Sequence, residues 1–195
     1  MAKAKATEEN TPELHGTCFV MMPYRHPFED YYRRVFAPAI EDANLRSILA
    51  SDLFRAGSIV EDMWKQIQEA KVLLAILTGQ NANVFYELGV AHAIGKPIIM
   101  VSETMDDVPF DLQALRTLTY DKDDPEYGQT LKRAITKAIG ETVASPIQSV
   151  PPAFRKIVQS QAPEQAAVLA RLDELEGQFR AQAMAPHFPI TGNRG

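Results

Sequence analysis

The stretch NVFYELGVAHAIGKP, Asn83 to Pro97, carries a carboxylate where its neighbours call for an apolar side chain. As a helix at about 100° per residue, it sets Val84, Leu88, Val90, Ala91 and Ile94 on one broad apolar arc. Glu87 falls inside that arc, between Ala91 and Ile94. A carboxylate facing a core or cleft is costly unless it is paired or performs chemistry. Placed in the first turn of a helix beside Asn and Tyr, it suits reaction at an electron-poor carbon. The anomeric carbon of a nucleoside is one, because breaking its bond to the base builds positive charge that a fixed carboxylate can stabilise or attack. The leaving base needs a proton unless it departs from a cationic state, as nicotinamide does from NAD. One carboxylate then suffices for NAD, whereas a neutral purine or pyrimidine calls for a second acid, Asp52 or Asp111. The plainer reading of Glu87 is a carboxylate held near a helix N-terminus by the dipole, worth about 0.3 to 1 kcal/mol.

These residues need a scaffold, and the sequence alternates strand and helix patterns. TCFVMMP is a short apolar run stopped by proline, and FEDYYRRVFAPAIEDAN has the spacing of one helix. LRSILASD can form a second strand. SIVEDMWKQIQEA opens on a Ser58 cap and keeps Ile59, Met63, Ile67 and Ala70 on one face, with Trp64 off that stripe. KVLLAILTG is continuously apolar, as strands buried on both faces are, and leads through QNAN into the Glu87 helix. KPIIMVSE and RTLTY supply a fourth and a fifth strand, and GQTLKRAITKAIGETV a closing helix. The alternation predicts an α/β fold with a five-stranded parallel sheet between two helical layers.

Ligands of such a sheet bind at the carboxyl ends of its strands. The loops there offer Met22, Pro23 and Tyr24, then Asp52, then Asn81, Asn83, Tyr86 and Glu87, then Phe110 and Asp111, as substrate-binding candidates around Glu87. Each has a structural alternative: Asn81, Asn83, Asp52 and Asp111 as turn or cap residues, and the aromatics as rim packing. Arg25 and His26 read as solvated, and His92, outside the apolar arc, as a surface or packing residue. No loop has the glycine spacing of a Walker or dinucleotide motif, and no G-x-S-x-G elbow occurs. Histidines 15, 26, 92 and 187 lack metal-ligand spacing, so neither a metal nor a cofactor is expected.

At 195 residues and 46% hydrophobic, the chain suits one domain with an appendage. Residues 1–14 read as a disordered leader, 15–145 as the α/β domain, and 146–195 as a Pro-rich linker and a C-terminal helix that could join copies into a homo-oligomer. A net charge of -5 with interspersed signs disfavours nucleic acid. The longest strongly apolar run, VLLAIL, is too short to cross a membrane, and Cys18 alone makes no intrachain disulfide. A cytoplasmic location is expected.

The segments FVMMPY, ASD, ILTGQNANVFYELGVAHAIGKPIIMV and PFDLQALRTLTY, across about residues 17 to 120, resemble the nucleoside 2-deoxyribosyltransferase-like proteins, a group related to Toll/interleukin-1 receptor-type NAD hydrolases. NANVFYELGVAHAIGKP is the most specific part. The resemblance implies a flavodoxin-like sheet, cleavage or transfer at an N-glycosidic bond, Glu87 as the catalytic glutamate, and a ribose or phosphate pocket lined by Met22 to Tyr24. The chain departs from the pattern twice, with Ile76 where relatives carry aspartate and Ala50 where they often carry arginine. Two functions follow: an enzyme acting on a nucleoside, nucleotide or NAD, or a nucleotide-sensing or assembly module on the same fold.

Overall fold

In the computed structural model, residues 14–49 and 59–155 are described. All of them fall in the first of two compact units, which ends at Arg155. The leader up to residue 13, the Ser58 cap and the expected C-terminal helix lie outside the described residues, as do Ala50 and Asp52.

Five strands, β1 (Thr17–Met21), β2 (Arg46–Leu49), β3 (Val72–Ile76), β4 (Ile98–Ser102) and β5 (Thr117–Thr119), form one all-parallel sheet in the order β2-β1-β3-β4-β5. Strands β3 and β4 are buried at every residue, which is why their sequences are continuously apolar. The pleat divides their side chains between two cores. Cys18, Val20, Val72, Leu74, Ile76 and Val101 face α1 (Phe28–Tyr31), α2 (Ala37–Asp42) and α5 (Tyr127–Ala144). Phe19, Met21, Leu73, Ala75, Leu77 and Met100 face α3 (Ile59–Glu69) and α4 (Ala82–Ala93). This is the expected flavodoxin-like α/β arrangement, and it puts the switch in strand order between β1 and β3.

On α3, Met63 and Ile67 are buried, as is Ala70 just after the helix, while Trp64 is exposed off their stripe. On α4, Val84, Leu88 and Ala91 are buried with Glu87 among them, and Val90 and Ile94 are half-buried. A Schellman motif ends α4: Lys96 N–H donates to the Ala91 carbonyl (3.0 Å) and Gly95 N–H to that of His92 (2.9 Å), with Gly95 at φ 70°.

The first helical stretch departs from the single α-helix its spacing predicts. Between α1 and α2 the residues Tyr32–Phe36 form a π-helical turn, closed by Ala37 N–H donating to the carbonyl of Tyr32 five residues back. Pro38 supplies the reason. It lacks an N–H and its ring crowds the carbonyl four residues earlier, so the wider turn accommodates what an α-turn would not.

After α5 the proline-rich stretch was expected to exclude regular structure, yet Pro146–Ser149 forms a 3-10 turn and Val150 is buried. Proline at the start of a helical turn forfeits no internal bond there. Thr142 and Ser149 share a hydroxyl hydrogen bond at 3.0 Å, and Arg155 donates to the carbonyls of Val150 (2.8 Å) and Gln148 (3.1 Å). No helix among the described residues is long and apolar enough to cross a membrane.

Candidate functional site

The loop from β3 to α4 is set by its own short-range chemistry. Gly79 takes φ 77° and Gln80 φ 51°, both left-handed, so the chain turns sharply before the helix. Asn81 then caps α4, its Oδ1 accepting from Asn83 N–H (3.0 Å) and Val84 N–H (3.3 Å). The cap role predicts that Asn81→Ala lowers stability by about 1 kcal/mol. Urea unfolding measures it, and a change below a few tenths would show that the cap contributes little.

Glu87 lies in the second turn of α4, not the first as its sequence position suggested, because the helix begins at Ala82 and no acid occupies its first turn. The helix dipole fades within the first turn, so the dipole-stabilised reading loses its physical basis. The side chain is 9% exposed and makes no hydrogen bond or ion pair among the described residues. Neither of its oxygens is both sealed from solvent and unpartnered, so the carboxyl reaches an accessible space. Burial pushes it up to about 7, well above the usual carboxylate range, because desolvation disfavours the charged form.

The carboxyl ends of β1, β3, β4 and β5 are tied into one rim. Thr78, buried after β3, uses its Oγ1 to accept from Glu103 N–H (2.9 Å) and shares a hydrogen bond with the Tyr120 hydroxyl at 3.3 Å. Burial pushes that phenol up to about 12, which keeps it neutral. Gln80 Nε2 donates to the Asp106 carbonyl (3.0 Å), joining the loops after β3 and β4. The Arg25 Nη2 atom stands 2.9 Å from where a Cβ on Gly79 would lie, so the loop after β1 rests on the loop after β3. Thr78 and Tyr120 were not singled out in the sequence. Both occur inside the segments carrying the family resemblance, but their pairing spans 42 positions and leaves no local signal.

Among the other candidates, Met22 and Pro23 are buried at the end of β1, while Tyr24 is 41% exposed. Asn83 is exposed on the first turn of α4, and Tyr86, one residue before Glu87, points outward at 59% exposure. Phe110 is 86% exposed and Asp111 exposed on the 3-10 turn Phe110–Leu112. No hydrogen bond or ion pair among the described residues joins any of them to Glu87. Asp52, the other acid considered for the leaving base, lies outside the described residues. The described residues contain no cluster of three or more His, Cys, Asp or Glu able to hold a metal.

His92 is only 6% exposed, although it falls off the α4 apolar arc. Phe154 stacks on its ring at 5.8 Å and 12°, covering a helix face that the local pattern marks as outward. His92 also borders a cavity of about 400 Å3 between the start of β4 and the end of α5, with Met100, Leu118, Glu141 and Thr142 in its wall. None of the candidate site residues lines this cavity.

Comparison with curated proteins gives no match. The sequence model of the family described as nucleoside 2-deoxyribosyltransferase matches residues 22–141, from the end of β1 into the last turn of α5, and so spans every described loop of the rim. The chain belongs to the nucleoside 2-deoxyribosyltransferase family.

Proposed function

We propose that this protein breaks the N-glycosidic bond of a nucleoside, nucleotide or NAD, with Glu87 as the nucleophile or the stabiliser of the oxocarbenium ion. The observation that supports it best is the Glu87 carboxyl itself, buried without a partner among the described residues yet open to an accessible space. The anomeric carbon's bond to the base breaks and its electron pair leaves with the base nitrogen, while a Glu87 oxygen bonds to or neutralises the electron-poor carbon. Water, or the nitrogen of a second base, then bonds to that carbon as any bond to the Glu87 oxygen breaks and its electron pair returns to the carboxylate, and the incoming nucleophile loses its proton to the departed base or to solvent. A neutral base collects a proton as it leaves, and nicotinamide needs none. The surrounding rim supplies the candidate contacts: Met22, Pro23 and Tyr24 toward the ribose, with Asn81, Asn83, Tyr86, Phe110 and Asp111 toward the base or sugar hydroxyls.

A second reading, a nucleotide-sensing module, draws support from Ile76. The position that carries an acid in the resembling proteins is here fully buried and apolar.

Chromatography of free base released from NAD, nucleoside monophosphates and deoxynucleosides, with wild type beside Glu87→Gln, separates the two. Release by wild type that vanishes in the variant supports the glycosidase and names its substrate. Absence of release from every compound, with the protein folded, favours the sensing module.

A further inference from the structure

We infer that the cavity between the start of β4 and the end of α5 is a second binding site, for a small uncharged heterocycle of nucleobase size that bonds to His92. The site stands on the cavity and its wall. The proposed reaction supplies only the probes, since a free base is what it releases.

The cavity follows from unequal strand lengths. Strand β4 pairs with β3 from Ile98 onward but with β5 only from Met100 onward, so Ile98 and Ile99 keep an edge with no strand beside it. Both border the cavity, and Gln148, Ser149 and Val150, beyond α5, complete its wall. An edge two residues long is too short to take up a peptide as an added strand. A volume of about 400 Å3 instead falls at the small end of ligand pockets. His92 comes five residues after Glu87 on α4, which at about 100° per residue turns it about 140° away. The two side chains therefore serve different faces of one helix.

His92 is the polar group that a ligand would complete. Its ring is buried and stacked on Phe154, yet it makes no hydrogen bond or ion pair among the described residues. Neither ring nitrogen is both sealed and unpartnered, so each opens onto accessible space, and the cavity is the space that His92 borders. Burial holds the imidazole below the ordinary histidine range, so near neutral pH it is uncharged and presents one donor and one acceptor. Thr142 and Ser149, also in the wall, share one hydroxyl hydrogen bond, which leaves one of their two protons free to donate. The charged groups of the wall are already engaged. Arg116 pairs with Glu141 at 3.0 Å, and Arg155 spends its Nε and Nη2, the paired edge that grips an anion, on two backbone carbonyls. Ile98, Ile99, Met100, Leu118 and Ala138 make much of the remainder apolar. The complement of such a wall is compact and uncharged, with apolar faces and an edge that both donates and accepts. A free nucleobase has that character.

The test is calorimetric titration of the full chain with adenine, hypoxanthine, cytosine, thymine, uracil and nicotinamide. Saturable binding of at least one is expected. His92→Phe, which keeps a ring against Phe154 and removes both nitrogens, should weaken it about tenfold or more, the worth of one hydrogen bond at a buried site. His92→Gln, which keeps a donor and an acceptor, should fall between, and Thr142→Val should weaken binding severalfold. Glu87→Gln should leave it unchanged. No saturable binding of any base, or binding indifferent to His92→Phe, would overturn the inference. So would binding lost in Glu87→Gln, because the base then sits against Glu87. If His92→Phe does not fold, unchanged binding in Thr142→Val overturns it equally. Failure of the glycosidase reading looks different: base binding that depends on His92, with no base released by wild type.

Discussion

Glu87→Gln is expected to abolish base release by about a thousandfold or more and, in the same protein, to change how stability depends on pH. The wild-type carboxyl rises from 4.5 to about 7 on folding because burial disfavours its charge. The folded state therefore holds its proton more tightly than the unfolded chain does. Stability drawn from the protonated form is complete below about pH 4.5 and is lost as pH climbs through 7. Above that, the folded protein keeps a buried charge at a cost of about 3 kcal/mol. Glutamine does not titrate, so the stability of the variant relative to wild type should grow by about 3 kcal/mol between pH 4 and pH 8. Denaturant unfolding at a series of pH values measures it. A variant that gains stability as it loses activity is the signature of a carboxylate kept for chemistry. If the difference stays flat with pH, Glu87 is better solvated than its burial indicates and the case for a functional carboxylate weakens.

The same titration fixes the sign of the activity profile. A nucleophilic or charge-stabilising carboxylate must be ionised, so kcat/KM for a nucleoside should rise about tenfold per pH unit below 7 and level off above it. A profile that falls through this range would assign Glu87 to proton donation instead.

Most of the scaffold was legible because its signals are local. The continuous apolar runs of β3 and β4 mark strands covered on both sides, and the arc on α4 announces Glu87 as the residue that does not fit. Other features depend on partners far along the chain or on the start of a helix. Glu87 reads as a first-turn residue until the Asn81 cap fixes where α4 begins, and His92 reads as either a surface or a packing residue until Phe154 stacks on it and decides for packing. The bond from Thr78 to Tyr120 and the seat of Arg25 on Gly79 exist only once the sheet has brought separate loops together. Pro38 was visible, but the periodicity of the apolar residues around it reads as one α-helix, and a π-helical turn of Tyr32–Phe36 leaves that pattern nearly unchanged.

Ile76→Asp, which would place at this position the acid found in the resembling proteins, is expected to destabilise the fold by about 3 to 5 kcal/mol rather than to improve the site. Ile76 is fully buried at the end of β3, paired in register with Val101, and belongs to the apolar cluster beneath α1, α2 and α5. The hydroxyls of Thr78 and Tyr120 already bond to each other, and Thr78 Oγ1 also accepts from Glu103 N–H. A carboxylate at 76 could recruit them only by breaking the ties that hold three loops at the rim. Ile76→Val, which removes one methyl and no polarity, should cost about 1 kcal/mol and reports packing alone. Denaturant unfolding of both variants, followed by base release from whichever folds, measures the outcome. An aspartate variant as stable as wild type that releases base faster would show that the rim retains room for a second acid. A large loss of stability would show instead that the core of this chain has closed over the position, so that whatever protonates the leaving base must come from another loop or the base must leave uncharged, as nicotinamide does from NAD.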